Sequence, residues 1–533
     1  MKASDLFVKC LESEGVQYVF GLPGEELKDI MFSIKESGIQ FVTTRHEQGS
    51  AFMADVYGRV SGRAGVCMST LGPGATNLVT GIADANLDHA PLVAVTAQGS
   101  LERLHKESHQ IIDIVAMFKP ITKWNTRIST AAVIPEVVRK AFKVAETEKP
   151  GATHIEFPED IAAHETNAAV LRHEKVRRPA PDYKALNKAV EFIMACRKPL
   201  ILAGNGAIRK LASNQLRMFV ERTRVPVVST FMGKGAISDR SEHSLMSLGI
   251  GTPKEIYSVL DAADLVVTIG YDIAELDPQK WNRSGKRIIH VDFSPSEVYD
   301  YYQPDIELVA DISNTLWHLN QMVTKTFDFP EARDYRSLLT RRVLRTEQFP
   351  LHPKHALVAL RAVLDDDAIV ISDVGSHKMW VGAAFPAYER GSVIVSNGLA
   401  SMGIALPGAL GAKLAAPEKD VVAVTGDGGF LMNVQELETA VRLKLDCAVI
   451  IFSDSSYSLI DAKFRASRKE TFGTDFANPD FGLLAKSFGC GYYAVKSANE
   501  LDAVYREALG AKGVRIIDVP VDKEENLKLF GGE

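Results

Sequence analysis

Asp427 stands in "VVAVTGDGGFLMNVQELETAV", where a β-branched apolar run ends in an acid flanked by Gly426, Gly428 and Gly429. Downstream, the apolar run "CAVIIF" ends in "SDSSYSLI" and delivers a second acid, Asp454. The GDGG stretch by itself fits a tight strand-to-helix turn, with glycine supplying unusual backbone angles and Asp capping the helix. The pair fits more. In a doubly wound sheet the loops at the carboxyl ends of neighbouring strands converge on one crevice, so Asp427 and Asp454 are expected side by side. Two such carboxylates repel unless a cation joins them, and Mg²⁺ takes one or two carboxylates, a carbonyl, water and phosphate oxygens. The glycines would admit a diphosphate to the backbone, and a helix expected to begin after Gly429 would turn its free N–H groups toward the charge.

The elements that would position these acids alternate between strand and helix in three blocks. From Ala3 to about Thr166 the apolar runs "FVTT", "GVCMST" and "PLVAVT" are separated by helical stretches, the signature of parallel βαβ units. The charged, proline-bearing "HEKVRRPAPDY" reads as a linker. A second block follows with "PLILAGNG", "VPVVST", "ADLVVTIG" and "RIIHVD", and a third with "AIVISDVGSH", "VVAVTGDGG", "CAVIIFSD" and "VRIIDVPV". The expected architecture is α/β, three doubly wound parallel-sheet domains over residues 1–166, 184–323 and 353–525. No short internal repeat is visible.

Bulk properties narrow the function. The 533 residues carry a net charge of −6 with Lys and Arg scattered, which gives no electrostatic footprint for nucleic acid or an anionic membrane. Small-molecule chemistry is expected. The five cysteines (Cys10, Cys67, Cys196, Cys447, Cys490) form no C-x-x-C, so neither a disulfide framework nor a zinc site is indicated. With no apolar leader and no run long enough to span a bilayer, the chain reads as cytoplasmic.

GDG followed by a second Asn or Asp at this distance resembles the thiamine diphosphate enzymes, and the resemblance extends over nearly the whole chain. "RHEQGSAFMADVYGRVSG" is similar to the stretch that carries a Glu in that family's N-terminal pyrimidine-binding domain, and "SNGLASMGIALPGALGAKLA" and "GDGGFLMNVQELETAVRLKL" are similar to acetolactate synthases. The resemblance implies that Glu47 is the carboxyl group on the cofactor's pyrimidine nitrogen, that Asp427, Asp454 and the Ser456 carbonyl hold Mg²⁺, and that Gly375, Ser376, His377, Gly428 and Gly429 cradle the diphosphate. Met402 would wedge between the cofactor rings, with its amide and the Ala400 carbonyl on the aminopyrimidine, while Gly426 and Tyr457 complete the cofactor contacts. His46 has no required chemistry and reads as structural. The expected activity is decarboxylation of pyruvate and transfer of the two-carbon unit to a second 2-oxo acid. The expected assembly is a homodimer or homotetramer whose sites are shared between chains.

"HKESHQIIDIVAMFKPITKWN" is similar to the synthase segment that offers a pair to the substrate, here His109 and Gln110. "IGYDIAELDPQKWN" and "IIHVDFSP" look like the catabolic branch, and Tyr271, Asp272, Ile273 and Ala274 stand where the flavin-dependent branch has Arg-Phe-Asp-Asp. FAD is therefore not expected. The central "GNGAIRK" lacks the last glycine of a dinucleotide fingerprint. Two residues depart from the synthase pattern. Lys463 occupies a position usually held by Trp or Gln near the acceptor, and Glu25 occupies one where some 2-oxo acid decarboxylases put an acid that works with a histidine. A Glu25–His109 pair would protonate the product carbon and release an aldehyde, so a non-ligating decarboxylase or related lyase is the alternative. Equally, Glu25 could simply charge the start of a helix.

Overall fold

The structure is a computed structural model that describes residues 1–173, 178–341 and 344–530; residues 174–177, in the expected linker, lie outside the described residues. Its frame is three six-stranded sheets in which every pairing is parallel. The first holds β1 (Tyr18–Gly21), β2 (Gln40–Thr43), β3 (Gly65–Ser69), β4 (Leu92–Gln98), β5 (Trp124–Arg127) and β6 (Ala152–Pro158) in the order β2-β1-β3-β4-β6-β5. The second holds β7 (Pro199–Ala203), β8 (Val227–Ser229), β9 (Ser244–Ser247), β10 (Leu265–Ile269), β11 (Arg287–Asp292) and β12 (Ile306–Val309) in the order β12-β11-β10-β7-β8-β9. The third holds β13 (Ile369–Ser372), β14 (Val393–Val395), β15 (Val421–Gly426), β16 (Cys447–Ser453), β17 (Gly491–Ala494) and β18 (Val514–Pro520) in the order β14-β13-β15-β16-β18-β17. Central strands such as β4, β15 and β16 are buried almost throughout and apolar in runs, as strands covered by helices on both faces must be.

The first and third sheets share one strand order, and they are packed together through equivalent helices. Glu47–Ser61 follows β2, and Ala405–Ala415 lies between β14 and β15. Small residues let the two helices approach: a Cβ on Gly408 would lie 2.8 Å from the Val56 side chain, and one on Gly411 would lie 2.2 Å from the Met53 carbonyl. Phe52, Met53, Val56, Leu406, Ala409 and Leu410 thus belong to one continuous apolar core that also takes in residues of β3, β15 and β16. The central sheet is packed separately, on two cores of its own.

One buried titratable group is not among the expected site residues. His154, on β6, bonds through Nε2 to the Thr96 hydroxyl (2.9 Å) and stacks on Phe118 at 4.3 Å, while its Nδ1 has no partner. Burial pushes the imidazole down to about 3. The folded state therefore refuses a proton that the unfolded chain accepts below about pH 6.5, so this group's stability is complete above pH 6.5 and is lost at up to ~1.4 kcal/mol per pH unit as pH falls toward 3. Unfolding midpoints of His154→Gln should fall less steeply with acidification than those of the unmodified chain. Parallel curves would exclude this role.

Candidate active site

At the carboxyl edge of the third sheet, the loops leaving β13, β15 and β16 enclose a cavity of about 240 Å³ whose lining includes Ser376, His377, Met402, Asp427, Asp454 and Tyr457. A buried acid to which the sequence reading gave no role organises this edge. Asp373 accepts the N–H groups of Val374 (2.7 Å), Gly403 (2.8 Å) and Ala405 (3.3 Å) and the Thr425 hydroxyl (3.3 Å). It thereby ties the exit of β13 and the end of β15 to the turn carrying Met402. Burial pushes its carboxyl up to about 6. In that turn Ala400 is held at φ 56°, a left-handed conformation that is uncommon for a residue with a Cβ and concentrates at functional sites.

Asp427 and Asp454 meet as expected. Asp427 Oδ2 accepts the N–H groups of Asp454 (3.0 Å) and Ser455 (2.7 Å) and the Asn478 amide (2.7 Å), and its Oδ1 accepts from Gly428 (2.8 Å). Asp454 accepts from the Ser456 N–H (3.2 Å) and the Ser458 hydroxyl. Burial, with the neighbouring Asp427 charge adding to it, pushes the Asp454 carboxyl up to about 7. Neither carboxylate has an ion-pair partner among the described residues.

Two local expectations are corrected. The helix begins at Asp427, with Gly426 as its extended N-cap (φ −84°, ψ 164°), rather than after Gly429, because the acid itself adopts helical geometry. Nor do these glycines supply unusual angles, since none of the three has positive φ. They supply space. A Cβ on Gly428 would lie 2.8 Å from the Tyr457 ring, one on Gly429 3.0 Å from the Asp373 carboxyl, and one on Gly426 3.2 Å from the His377 ring. His377 sits in the first turn of the helix Ser376–Ala384, N-capped by Gly375, and burial pushes its imidazole down to about 3. Its Nε2 is buried with no partner.

A second set of residues gathers on the first sheet. Glu47 is the first residue of its helix, is only 8 % exposed and accepts the Asn77 amide at 2.9 Å. His46 is the N-cap, its ring accepting from the Gln48 N–H, so its role is structural. The turn Gly72–Gly74 links this acid to Gln110: a Cβ on Gly74 would lie 3.4 Å from Glu47 Oε1, and one on Gly72 would lie 2.8 Å from Gln110. Glu25 is exposed and opens the short turn Glu25–Leu27, while its neighbour Glu26 accepts the Thr70 hydroxyl at 2.6 Å. His109 is exposed as well, and no hydrogen bond or ion pair joins it to Glu25 among the described residues. Lys463 is exposed on the helix Ser458–Arg468, one turn beyond Ile460, which lines the cavity. Glu25, Glu47, His109 and Gln110 do not line the cavity.

Residues 1–117, 186–319 and 373–519 match, respectively, the N-terminal TPP binding domain, the central domain and the C-terminal TPP binding domain of thiamine pyrophosphate enzymes. The chain is 36 % identical to the acetolactate synthase of Bacillus subtilis (strain 168), covering 99 % of this chain and 94 % of that protein. It is 35 % identical to the catabolic acetolactate synthase of Raoultella terrigena (99 % and 96 % covered) and 30 % identical to the acetolactate synthase isozyme 1 large subunit of Escherichia coli (strain K12; 98 % and 94 %). The chain is a thiamine diphosphate enzyme of the acetolactate synthase family.

The cavity suits that cofactor on its own chemistry. A thiamine diphosphate enzyme needs a place for two phosphates, and here an orphaned imidazole nitrogen, glycines with no room for a side chain and the starts of two helices converge. The buried Asp427 and the half-buried Asp454, neither ion-paired among the described residues, supply oxygen ligands. The residues that brace the set, Asp373, Asn478, Asn77 and Glu436, had no role in the sequence reading, although Asp373 and Glu436 stand within the quoted stretches. Glu436, first residue of the helix Glu436–Arg442 in the chain's own C-terminal domain, accepts the N–H groups of Arg45 (3.0 Å) and His46 (3.1 Å) through Oε1, fixing the approach to Glu47. A buried acid at the end of an apolar strand, as in "VISDVG", is the one local signal that would have found Asp373.

Proposed function

We propose that this enzyme decarboxylates pyruvate and joins the two-carbon unit to a second 2-oxo acid, giving 2-acetolactate when both partners are pyruvate. The full-length similarity to acetolactate synthases carries this reading. When bound, thiamine diphosphate supplies the electron sink that decarboxylation needs. Asp427, Asp454 and the Ser456 carbonyl would hold Mg²⁺, and Gly375, Ser376, His377, Gly428 and Gly429 would receive the diphosphate. Met402, Ala400, Gly426 and Tyr457 would shape the ring site, and Glu47 would share a proton with the pyrimidine nitrogen. His109 and Gln110 would face the substrate, with Lys463 near the acceptor. Within one chain no hydrogen bond or ion pair joins Glu25 to His109 among the described residues, which favours ligation over aldehyde release.

The lining of the cradle contains no residue of the first sheet, which supports a Glu47 supplied by a second copy. Tyr457 and Ile460 of that lining, and Phe464 one turn further along the helix Ser458–Arg468, stand 39, 41 and 43 % exposed, apolar surface that a partner subunit would cover. A homodimer or homotetramer follows from this reading. No helix of the described residues is long and apolar enough to cross a membrane, and none of the five thiols is paired, which supports a cytoplasmic location. The domains would run over 1–166, 184–323 and 353–525.

The reading is of a flavin-free enzyme, and the packing at the central sheet supports it. At the carboxyl edge of the central sheet Gly204 and Gly206 lie against Gly270, where a Cβ would meet backbone at 2.5 and 2.7 Å, and Asp272 bonds His89 (3.1 Å) and Lys149 (3.2 Å). A pocket of about 10 Å³ lies beside Asn205 and Asp272. Purified enzyme supplied with pyruvate, Mg²⁺ and thiamine diphosphate should be colourless and release CO₂ and acetolactate together. Lys463→Gln should shift acceptor preference without stopping CO₂ release. Acetaldehyde with no acetolactate would replace this function with simple decarboxylation, and stoichiometric FAD in the purified protein would overturn the flavin-free reading.

A further inference from the structure

The largest cavity described, about 960 Å³, lies between the central and C-terminal sheets and belongs to no role so far. Its walls are the loop after β9, the turn around Leu276–Arg283, the helix Pro353–Val363, the end of the helix Ser376–Ala384 and the residues Lys528–Phe530. Lys254, Lys280, Arg283, Lys354, Arg361 and Lys528 line it, and no Asp or Glu does so among the described residues. In a chain with 67 acidic and 61 basic residues, that is a segregation of charge. Lys254, Lys280, Arg283 and Arg361 make no ion pair with a carboxylate among the described residues, whereas Lys528 shares Glu525 with His352. Arg361 is buried, with Nε and Nη1 lacking hydrogen-bond partners and its guanidinium over the rings of Tyr388 (4.9 Å) and Phe385 (5.4 Å).

We propose that this cavity is a second ligand site, for a nucleotide-sized molecule with two or more phosphates and a planar ring, and that its occupancy is coupled to the cofactor cradle. A 2-oxo acid carries one charge and would leave most of this volume and most of these cations unused. Several phosphates match several uncompensated cations, Arg and Lys being the side chains that bind them. Tyr257, Trp380 and Tyr388 supply ring surface for stacking. The volume is at the upper end of small-molecule sites.

The coupling runs through one short helix. Ser376 and His377, at its start, line the cradle; Ala383 and Ala384, at its end, line the second cavity; Trp380 lines both. Its last turn is pinned to the central domain, since the Lys234 ammonium (3.0 Å) and the Ser247 hydroxyl both donate to the Gly382 carbonyl. A ligand that draws the loop after β9 toward the helix Pro353–Val363 therefore acts on the element that presents His377 to the diphosphate. This half rests on the cradle holding thiamine diphosphate, and linkage makes it reciprocal.

The test is calorimetric titration of the full-length apoenzyme with ADP and, separately, with tripolyphosphate, followed by thiamine diphosphate titration at saturating ADP. ADP should bind the unmodified chain and Asp427→Ala alike, and tripolyphosphate should bind at least tenfold more weakly. The exposed pair Lys280→Glu and Arg283→Glu together, and Lys254→Glu on a separate loop, should each weaken ADP at least tenfold while leaving thiamine diphosphate affinity without ADP unchanged. Saturating ADP should shift the thiamine diphosphate dissociation constant at least threefold. Absence of ADP binding at millimolar concentration, or binding indifferent to both charge reversals, would overturn the site. Tripolyphosphate binding as tightly as ADP would overturn ring recognition, and an unshifted cofactor affinity would overturn the coupling. Failure of thiamine diphosphate to bind at all would strike the proposed function instead, with the ADP titration still readable.

Discussion

Asp427→Ala is expected to abolish Mg²⁺-dependent retention of thiamine diphosphate while the three sheets stay folded. The carboxylate is both a proposed metal ligand and the acceptor for the N–H groups of Asp454 and Ser455 and for the Asn478 amide. Truncating one member of a buried, hydrogen-bonded charge site costs ~2–5 kcal/mol, or roughly thirtyfold to several thousandfold in affinity. Asp427→Asn should separate the two roles, keeping part of the loop's hydrogen bonding while losing the charge. Titration of each variant with thiamine diphosphate, with and without Mg²⁺, reads both effects. Unchanged Mg²⁺-dependent affinity in Asp427→Ala would remove the metal assignment.

Glu47→Gln should be nearly inactive without losing the cofactor. Proton transfer by a positioned acid is worth about 10²–10⁴ in rate, and the glutamine keeps the size and the hydrogen bond from Asn77 without the titrating group. If each site takes its acid from one chain and its metal from another, mixing Glu47→Gln with Asp427→Ala subunits should rebuild sites. Random exchange makes half the dimers mixed, each with one intact site in two, so about a quarter of full activity is the ceiling for a two-fold dimer. No recovery after exchange has been demonstrated by mass spectrometry would place Glu47 and Asp427 in the same chain's site.

The parts of this architecture legible in the sequence are those with a local pattern. Alternating apolar runs announced three parallel sheets, and GDGG with Asp454 announced two acids at neighbouring strand ends. Glu47 was legible only through its surrounding motif. Asn478, Asn77 and Glu436 were not, because each is an ordinary polar residue whose partner is distant in sequence: Glu436 meets Arg45 and His46 across some 390 positions. The glycines were found for an incomplete reason, since crowding by Tyr457, Asp373 and His377 cannot be seen before the chain folds. The shared strand order of the first and third sheets leaves no sequence repeat, because a parallel order demands only apolar strands and crossovers of adequate length. The cationic cavity is assembled from residues on separate elements, and no window of sequence contains it.

The continuous core between the Glu47–Ser61 and Ala405–Ala415 helices has a consequence for the newborn chain. The first helix leaves the ribosome with its apolar face complete, but its cover is encoded 344 residues later, counting from Ser61 to Ala405. At about 5–20 residues per second, that face waits roughly 20–70 s for its partner. The central domain, which has its own cores, can fold in the interval. Nascent chains stalled before Ala405 should therefore engage holding chaperones through the Phe52–Val56 stretch, and chains stalled well beyond Ala415 should release them.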